Sequence, residues 1–380
     1  MATLQISKRT FIAPIIFAGL AFTLLPIDTP YAQDICTHLL CDGDTNAEIK
    51  AKDKGGWRGG HSPEELAEQS RLAEIARAKA ESVLYPPIVQ DYAPSPAIWK
   101  LADEDTTIYL FGTYHILPRD FRWRNQTLDQ IVFDAEELIV ETSDEDSSSG
   151  DGAIVEAMIK NILDNERKTI SERLTEPNRF KWKKAVEMSG ASLAAVDRMP
   201  IFLTMMGMGL GFSEQLGSKR EFGVETVLEA EFKQAGKPID SIEDGNEIMA
   251  NLISIDENLL IADLEEGLTK WDGETMEGFF ASLEPETEDE LAGGLFKGEH
   301  DWARGQLEEL DDTMFGESAG SKQVYRILLT DRNIAWAEWL DDRLDQPGTI
   351  LVAVGAAHFE GPDSVQVMLE KRDLSVDRIQ

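Results

Sequence analysis

The chain is poor in the residues that usually announce a chemistry. Its 380 residues include only two cysteines and five histidines, which excludes a disulfide-dense scaffold and a cysteine-rich zinc module. It contains no His-Glu-x-x-His zinc signature and shows no long repeat. Basic residues are scarce too, 36 against 71 acidic ones, for a formal net charge of −35. Such a field repels nucleic acid and anionic membranes, so no nucleic-acid partner is expected, and neutral or cationic substrates fit better. A need for solubility alone also accounts for the charge. With 42% hydrophobic residues the chain can bury one large core or two modest ones.

The start of the chain reads as an export signal over residues 1–32. Lys8 and Arg9 form a basic start, Phe11 to Leu25 an apolar stretch short for a membrane span, and Ala32 a small residue for cleavage. Pro30 leaves the cut site open, and a retained anchor is the alternative; contact with a membrane is expected only through an uncleaved signal. Export to the periplasm or the exterior is oxidising, so Cys36 and Cys41 are expected to close a small local disulfide loop, with His38 between them a weak hint of metal. Residues 33–97 read as an extension. In it Ser62-Pro63-Glu64-Glu65 caps a helix with a modest stripe through Leu66, Ala73, Ala76, Ala80 and Val83, and Pro86, Pro87, Pro94 and Pro96 make an extended linker.

Two of the five histidines stand in the same local arrangement. Tyr109-Leu110-Phe111 leads into Gly112-Thr113-Tyr114-His115, and Leu351-Val352-Ala353-Val354 leads into Gly355-Ala356-Ala357-His358. A run of β-branched and aromatic residues that stops at glycine marks the end of a buried strand, where the backbone turns and passes close to a ligand. A histidine three residues on then lies at the strand's lip, where sheets with helices on their faces bind ligands. One such histidine is commonly a satisfied core residue; two in matched contexts predict a shared site that joins the ends of a domain.

Other residues are expected around that site. Leu138-Ile139-Val140 predicts a strand ending in Glu141, a candidate metal ligand or general base, followed by an acidic serine-rich loop over residues 143–151. From about residue 153 to 291 the chain reads as mainly helical, with turns at Gly190, Gly236-Lys237-Pro238 and Asp244-Gly245 and a surface loop over 283–291. The methionine-rich stretch from Met199 to Phe212 suits core packing, or a groove for apolar peptide or lipid. Near the end, a helix from about Ser321 to Leu344 carries apolar residues at Val324, Leu328, Ala335 and Trp339. A charge, Asp331 or Arg332, interrupts that stripe, so Arg332 with Asn333 is expected either to face the site and hold a carboxylate or an oxyanion, or to form a rim salt bridge.

Gly316-Glu317-Ser318-Ala319-Gly320 matches the nucleophile elbow of serine hydrolases letter for letter. The approach, Glu308-Glu309-Leu310-Asp311-Asp312-Thr313, is not a buried strand, and only 40 residues separate Ser318 from His358. A serine hydrolase using Ser318 is therefore the weaker reading.

Taken together, Trp99-Lys100, the first glycine-x-x-histidine phrase with Ile116-Leu117-Pro118 after it, Glu141, Arg332-Asn333 and the second phrase resemble the TraB/GumN family, which includes the Tiki proteases. The resemblance covers about residues 97 to 380. It implies an α/β or α+β fold of the broad EreA/ChaN-like class: a central mixed β-sheet built from both chain ends, flanked by helices, with a helical insertion over the site at about 153–291. For the Tiki branch it also implies a metal-dependent endopeptidase stimulated by manganese or cobalt. Carried over by position, His115 and His358 are metal ligands with Glu141, and Arg332 and Asn333 complete the second motif. Gly223-Val224-Glu225 stands where the family commonly has glycine-valine-aspartate, so Glu225 is a departure; Glu141 or Glu225 is expected to take a proton from the metal-bound water, and Glu243 resembles the next acidic motif and a further metal ligand. Zinc and iron also suit mixed nitrogen and oxygen ligands. The expected activity is an exported metal-dependent hydrolase acting on peptide or protein; a binding protein for haem, metal or peptide is the alternative.

Overall fold

Alternation along the last long strand explains how the sheet is built. Ile350, Val352 and Val354 share one face of it and Leu351 and Ala353 the other, and all five are almost wholly buried. A strand apolar on both faces belongs in the middle of a sheet with helices on each side. In the computed structural model, which describes residues 88–142, 167–283, 296–308 and 310–380, it lies there. From Gln90 onward the described residues belong to one compact unit. The expected export signal, cysteine loop and capped amino-terminal helix, the acidic loop 143–151 and most of the 283–291 loop lie outside the described residues.

The strands are β1 (Ile98–Ala102), β2 (Thr106–Thr113), β3 (Leu117–Pro118), β4 (Glu137–Val140), β5 (Ser218–Lys219), β6 (Ile239–Ser241), β7 (Gly348–Gly355) and β8 (Val376–Arg378). Six of them form a mixed sheet in the order β6-β4-β7-β2-β1-β8, and β3 pairs with β5 apart from it. β6, β4, β7 and β2 run parallel, while β1 is antiparallel to β2 and β8 antiparallel to β1. Strands from the two ends of the domain therefore meet in the middle: β2 pairs with β7 over eight residues, from Thr106 opposite Gly348 to Thr113 opposite Gly355. This is the mixed sheet joining both ends that the sequence predicts.

Helices cover both faces. On one, the helices Asp331–Leu344 and Val365–Glu370 bury Trp336, Leu340, Val365 and Leu369 against Ile108, Leu110, Ile350 and Val352. The span expected to be mainly helical is so where described, except for β5 and β6. These strands of two and three residues are too short to show a period, and β6 extends the main sheet beside β4. The methionine-rich stretch forms the helix Ile201–Gln215, with Met206 and Met208 in the packed interior. No helix among the described residues is long and apolar enough to cross a membrane.

One carboxylate is buried without an answer. Glu299, on the helix Lys297–Ala303, is fully buried, and neither of its oxygens has a hydrogen-bond partner on another residue among those described. Burial, with the charge of Glu308 added, raises its pKa from 4.5 to about 7. The folded chain then holds a proton there that the unfolded chain has released, so the stabilisation is complete below about 4.5 and disappears as pH rises through 7. Glu299→Gln keeps the neutral shape at every pH. The variant is expected to match the wild type near pH 4.5 and to exceed it at pH 8 by on the order of 3 kcal/mol. Urea unfolding at the two pH values checks this; equal differences at both would contradict it.

Candidate functional site

Four parallel strands end side by side in the order β6, β4, β7, β2, and a chemically active side chain follows each within three residues: Glu243, Glu141, His358 and His115. The pairing of Thr113 with Gly355 sets the two histidine loops next to each other. All four side chains are nearly or wholly buried, Glu141 and His358 completely. The close approach depends on Gly355, because a Cβ there would lie 3.0 Å from Glu141 Oε1 and 3.3 Å from His115 Nε2.

Each imidazole is oriented from behind. His115 Nδ1 meets Glu225 Oε1 at 2.7 Å, and the Thr113 hydroxyl donates to the same oxygen. Glu225 begins the helix Val224–Ala235, whose first residue bonds back to the loop through Val224 N–H to the Tyr114 carbonyl at 2.9 Å. That seat exists only because residue 223 is glycine: a Cβ on Gly223 would fall 1.9 Å from the His115 carbonyl oxygen. His358 Nδ1 meets Asn333 Oδ1 at 2.5 Å, while Asn333 Nδ2 donates to the Asp363 carbonyl at 2.7 Å. The second bond fixes which end of the amide faces the ring, so the histidine must donate from Nδ1. In both neutral rings the lone pair then rests on Nε2.

Those two Nε2 atoms are buried and have no hydrogen-bond partner among the described residues. Both face the same atom, Glu141 Oε1, at 3.7 Å from His115 and 3.9 Å from His358. Buried nitrogens of this kind beside a carboxylate, each backed by an acceptor on its other ring nitrogen, are groups that could hold a divalent cation. As placed, no group of three or more His, Cys, Asp or Glu among the described residues is closed to the spacing of a finished metal centre. The donors fit by type and by tautomer, and the trio stands open.

Arg332 joins the carboxylates. Its Nη2 donates to Glu141 Oε2 at 2.5 Å and to Glu243 Oε1 at 2.6 Å, its Nε to Glu243 Oε2 at 2.9 Å, and its Nη1 to the Leu328 carbonyl at 3.0 Å. The sequence admits an inward-facing Arg332 or a rim salt bridge; the side chain is inside, with its three terminal nitrogens engaged. It therefore orients Glu141, with four of its five N–H groups committed to these acceptors. Glu243 lies behind this guanidinium and also accepts from Trp336 Nε1 at 2.8 Å, so it meets Arg332 and not the free imidazole nitrogens.

A π-helical turn puts these residues there. The long helix consists of Ala319–Tyr325, a π turn over Arg326–Thr330, and Asp331–Leu344. The extra residue in the turn moves the inward face on by one position. Arg332, Asn333, Trp336 and Leu340 are buried, while Ala335, expected in the stripe, is exposed, and Trp339 is half-buried.

The environment separates the titrations. Burial would raise Glu141, but the charge of Arg332, then His358 and His115, and the Gly355 N–H at 2.7 Å hold it below the usual carboxylate range. Glu243 goes the other way, raised by burial against the pull of Arg332. His358 is pushed well down by burial and then by Arg332. For His115, burial lowers the pKa, and the charge and hydrogen bond of Glu225 outweigh it, so the net shift is upward.

The TraB/PrgY/gumN family model matches residues 97–378. This chain belongs to that family. The matched span starts one residue before β1 and ends with β8, so the whole central sheet and all seven candidate residues lie in the TraB/PrgY/gumN domain. The chain is also 24% identical over 279 residues to the uncharacterized protein YbaP of Escherichia coli K12, covering 72% of this chain and 92% of that protein. A YbaP of Shigella flexneri is 24% identical over 266 residues, covering 69% of this chain and 87% of its own length. No solved structure matches significantly.

Three residues of this family domain escaped the sequence reading. Trp336 holds Glu243 and lies 4.1 Å, ring to ring, from His358; its signal was its place one helical turn after Arg332. Thr113 supports Glu225, and Trp302 holds the first loop by donating to the Gly112 carbonyl at 2.8 Å. Trp302 gives no such signal, since its contact joins elements 190 residues apart. Ser318 builds no nucleophile elbow: it caps the helix Ala319–Tyr325, and its hydroxyl donates to Asp263 at 2.5 Å.

Removing Arg332 leaves two buried carboxylates facing each other. Arg332→Met is expected to lose about 3–5 kcal/mol of stability, and Arg332→Lys to recover only part because an ammonium cannot span both acids. Denaturant titration of the three proteins checks the order; a stable Met variant would show that the acids need no counter-charge.

Proposed function

We propose that the chain is a divalent-cation-dependent hydrolase, acting on peptide bonds. The observation that supports this reading is the pair of orphaned imidazole nitrogens aimed at one carboxylate oxygen. His115 Nε2, His358 Nε2 and Glu141 Oε1 are the donors that would hold the cation. A cation bound there lowers the pKa of a water ligand and polarises a carbonyl. The charge count agrees, for Glu141, Glu225 and Glu243 against Arg332 leave an excess of two negative charges when all are ionised. Manganese or cobalt is the cation inferred, on the family resemblance.

The chain's own groups divide the remaining work. Glu225 has Oε1 engaged by His115 Nδ1 and Thr113 and Oε2 buried without a partner among the described residues, so it orients His115 and accepts the Nδ1 proton of that ring as positive charge develops on it. Asn333 fixes the tautomer of His358. Arg332 holds Glu141 in place and balances its charge. Against burial, Arg332, then the two histidines, lower the pKa of Glu141 and favour its anionic form. A second reading, a cation-binding protein without turnover, draws on the complete burial of His358 and Glu141.

Manganese titration followed by electron paramagnetic resonance, beside cleavage of a peptide library, separates these readings. The expected result is one tight site, lost in His358→Ala and in Gly355→Ala, whose methyl group enters the donor cluster, with cleavage that chelator abolishes and manganese restores. Tight binding without cleavage would favour the second reading. Full cleavage by His358→Ala or after chelation would refute the first.

A further inference from the structure

The motif that imitates a serine elbow has another use. Ser318 and Ser321 both donate to Asp263 Oδ2, at 2.5 Å and 3.0 Å, and tie the start of the helix Ala319–Tyr325 to the helix Glu257–Lys270. Oδ1 of the same half-buried carboxylate accepts no hydrogen bond among the described residues. Asp263 stands where two cavities join. The inner one, of about 90 Å³, is walled by Phe202, Met205, Leu260, Leu264, Phe280 and Val324. The outer one, of about 520 Å³, carries Glu266, Glu317 and Lys270, and the two share Asp263, Leu283 and Ser321.

The inner space is apolar and the mouth is acidic. Three carboxylates face one ammonium there, and that ammonium, Lys270, is already paired with Glu266 at 2.9 Å. An apolar cavity with a few convergent polar groups is the usual form of a small-ligand site. A carboxylate anchored through one oxygen, with the other unengaged, selects a cationic donor over an anion, and excludes an alkyl carboxylate by like charge.

We propose that this composite cavity binds a primary amine that carries an apolar chain, with the ammonium on Asp263 Oδ1 and the chain among Phe202, Met205, Leu260 and Leu264. The amino terminus of a peptide with an apolar first residue and a free alkylamine both present this chemistry. The site is separate from the histidine centre and does not rest on its function.

Calorimetry on the whole protein at 0.15 M salt tests it, with butylamine, hexylamine and octylamine as probes and octanoate as the control. Affinity is expected to rise about fourfold per added methylene until the cavity is full, and octanoate to bind far more weakly. Asp263→Asn keeps an acceptor for the two serines and removes one charge. It is expected to weaken octylamine about tenfold, more than one charge in a chain at −35 contributes to general attraction. A peptide starting Leu-Phe, compared with its N-acetylated form, tells the two sources apart: binding of the free peptide only assigns the site to peptide ends, and binding of alkylamines alone assigns it to free amines. Affinity independent of chain length, octanoate binding as well as octylamine, or an unchanged Asp263→Asn would each overturn the proposal. The chain-length and head-group comparisons use the wild type alone, so they stand even where the variant is unstable.

Discussion

Glu141 is a carboxylate with no access to water, and its charge has to be met by neighbours. A buried ion left alone costs several kcal/mol, more than most single interactions in a marginally stable domain return. Here the answer comes from three remote pieces of chain: Arg332 on a late helix, the Gly355 N–H at the end of β7, and the two imidazoles. The Gly355 N–H and His358 reach Glu141 through the pairing of β4 with β7, and His115 through that of β2 with β7. The acid therefore links the sheet's register to the helix that covers it, and partial assembly leaves it charged and unanswered. The same linkage builds the site, since whatever satisfies Glu141 also gathers the histidines.

How much of this was legible depends on the distance over which each signal acts. Strand ends at Gly112 and Gly355 show in a few residues, because β-branched runs and glycine are local signs, and the histidines follow at fixed offsets. Arg332 shows as a charge in an apolar stripe. Its partners do not: a pattern along one helix says which way a side chain faces and nothing about the acids waiting there. Glu225 entered only through a resemblance, and its bond to His115 needs Gly223 to admit the neighbouring backbone. The stripe itself was misread by one position after Leu328, because a π turn leaves no mark in composition or periodicity. β6 was missed since three residues cannot show an alternation.

Charge inside the site follows a different rule from charge outside. On the surface, most of the chain's excess acid is solvated and screened, and contributes little to structure. Within the site, Glu141 and Glu243 share one guanidinium while Glu225 faces only His115, so the remaining positive charge has to come from elsewhere. The opposite shifts of the two histidines reflect this. His358, beside Arg332, is driven toward the neutral form, whereas His115, against Glu225, gains affinity for a proton. A proton on His115 and a cation between the two rings are alternative ways of supplying the same charge. In the proposed reading, a cation held there would compete with a proton for the ring of His115.

The glycine-x-serine-x-glycine phrase shows why a motif is a statement about context. In a hydrolase its serine is reactive because a buried strand enters a strained turn and lifts the hydroxyl clear of hydrogen-bonding neighbours, next to a histidine. The present serine follows a loop, begins a helix, accepts the Ser321 N–H at 2.9 Å and gives its own proton to Asp263. A hydroxyl committed at both ends is a structural tie. The glycines that would relieve strain in an elbow here let the helix and its loop lie close to their neighbours, and the acid that takes the serine's proton, Asp263, lines an apolar cavity. The same five letters thus yield a nucleophile or an anchored carboxylate, according to whether a strand or a loop precedes them.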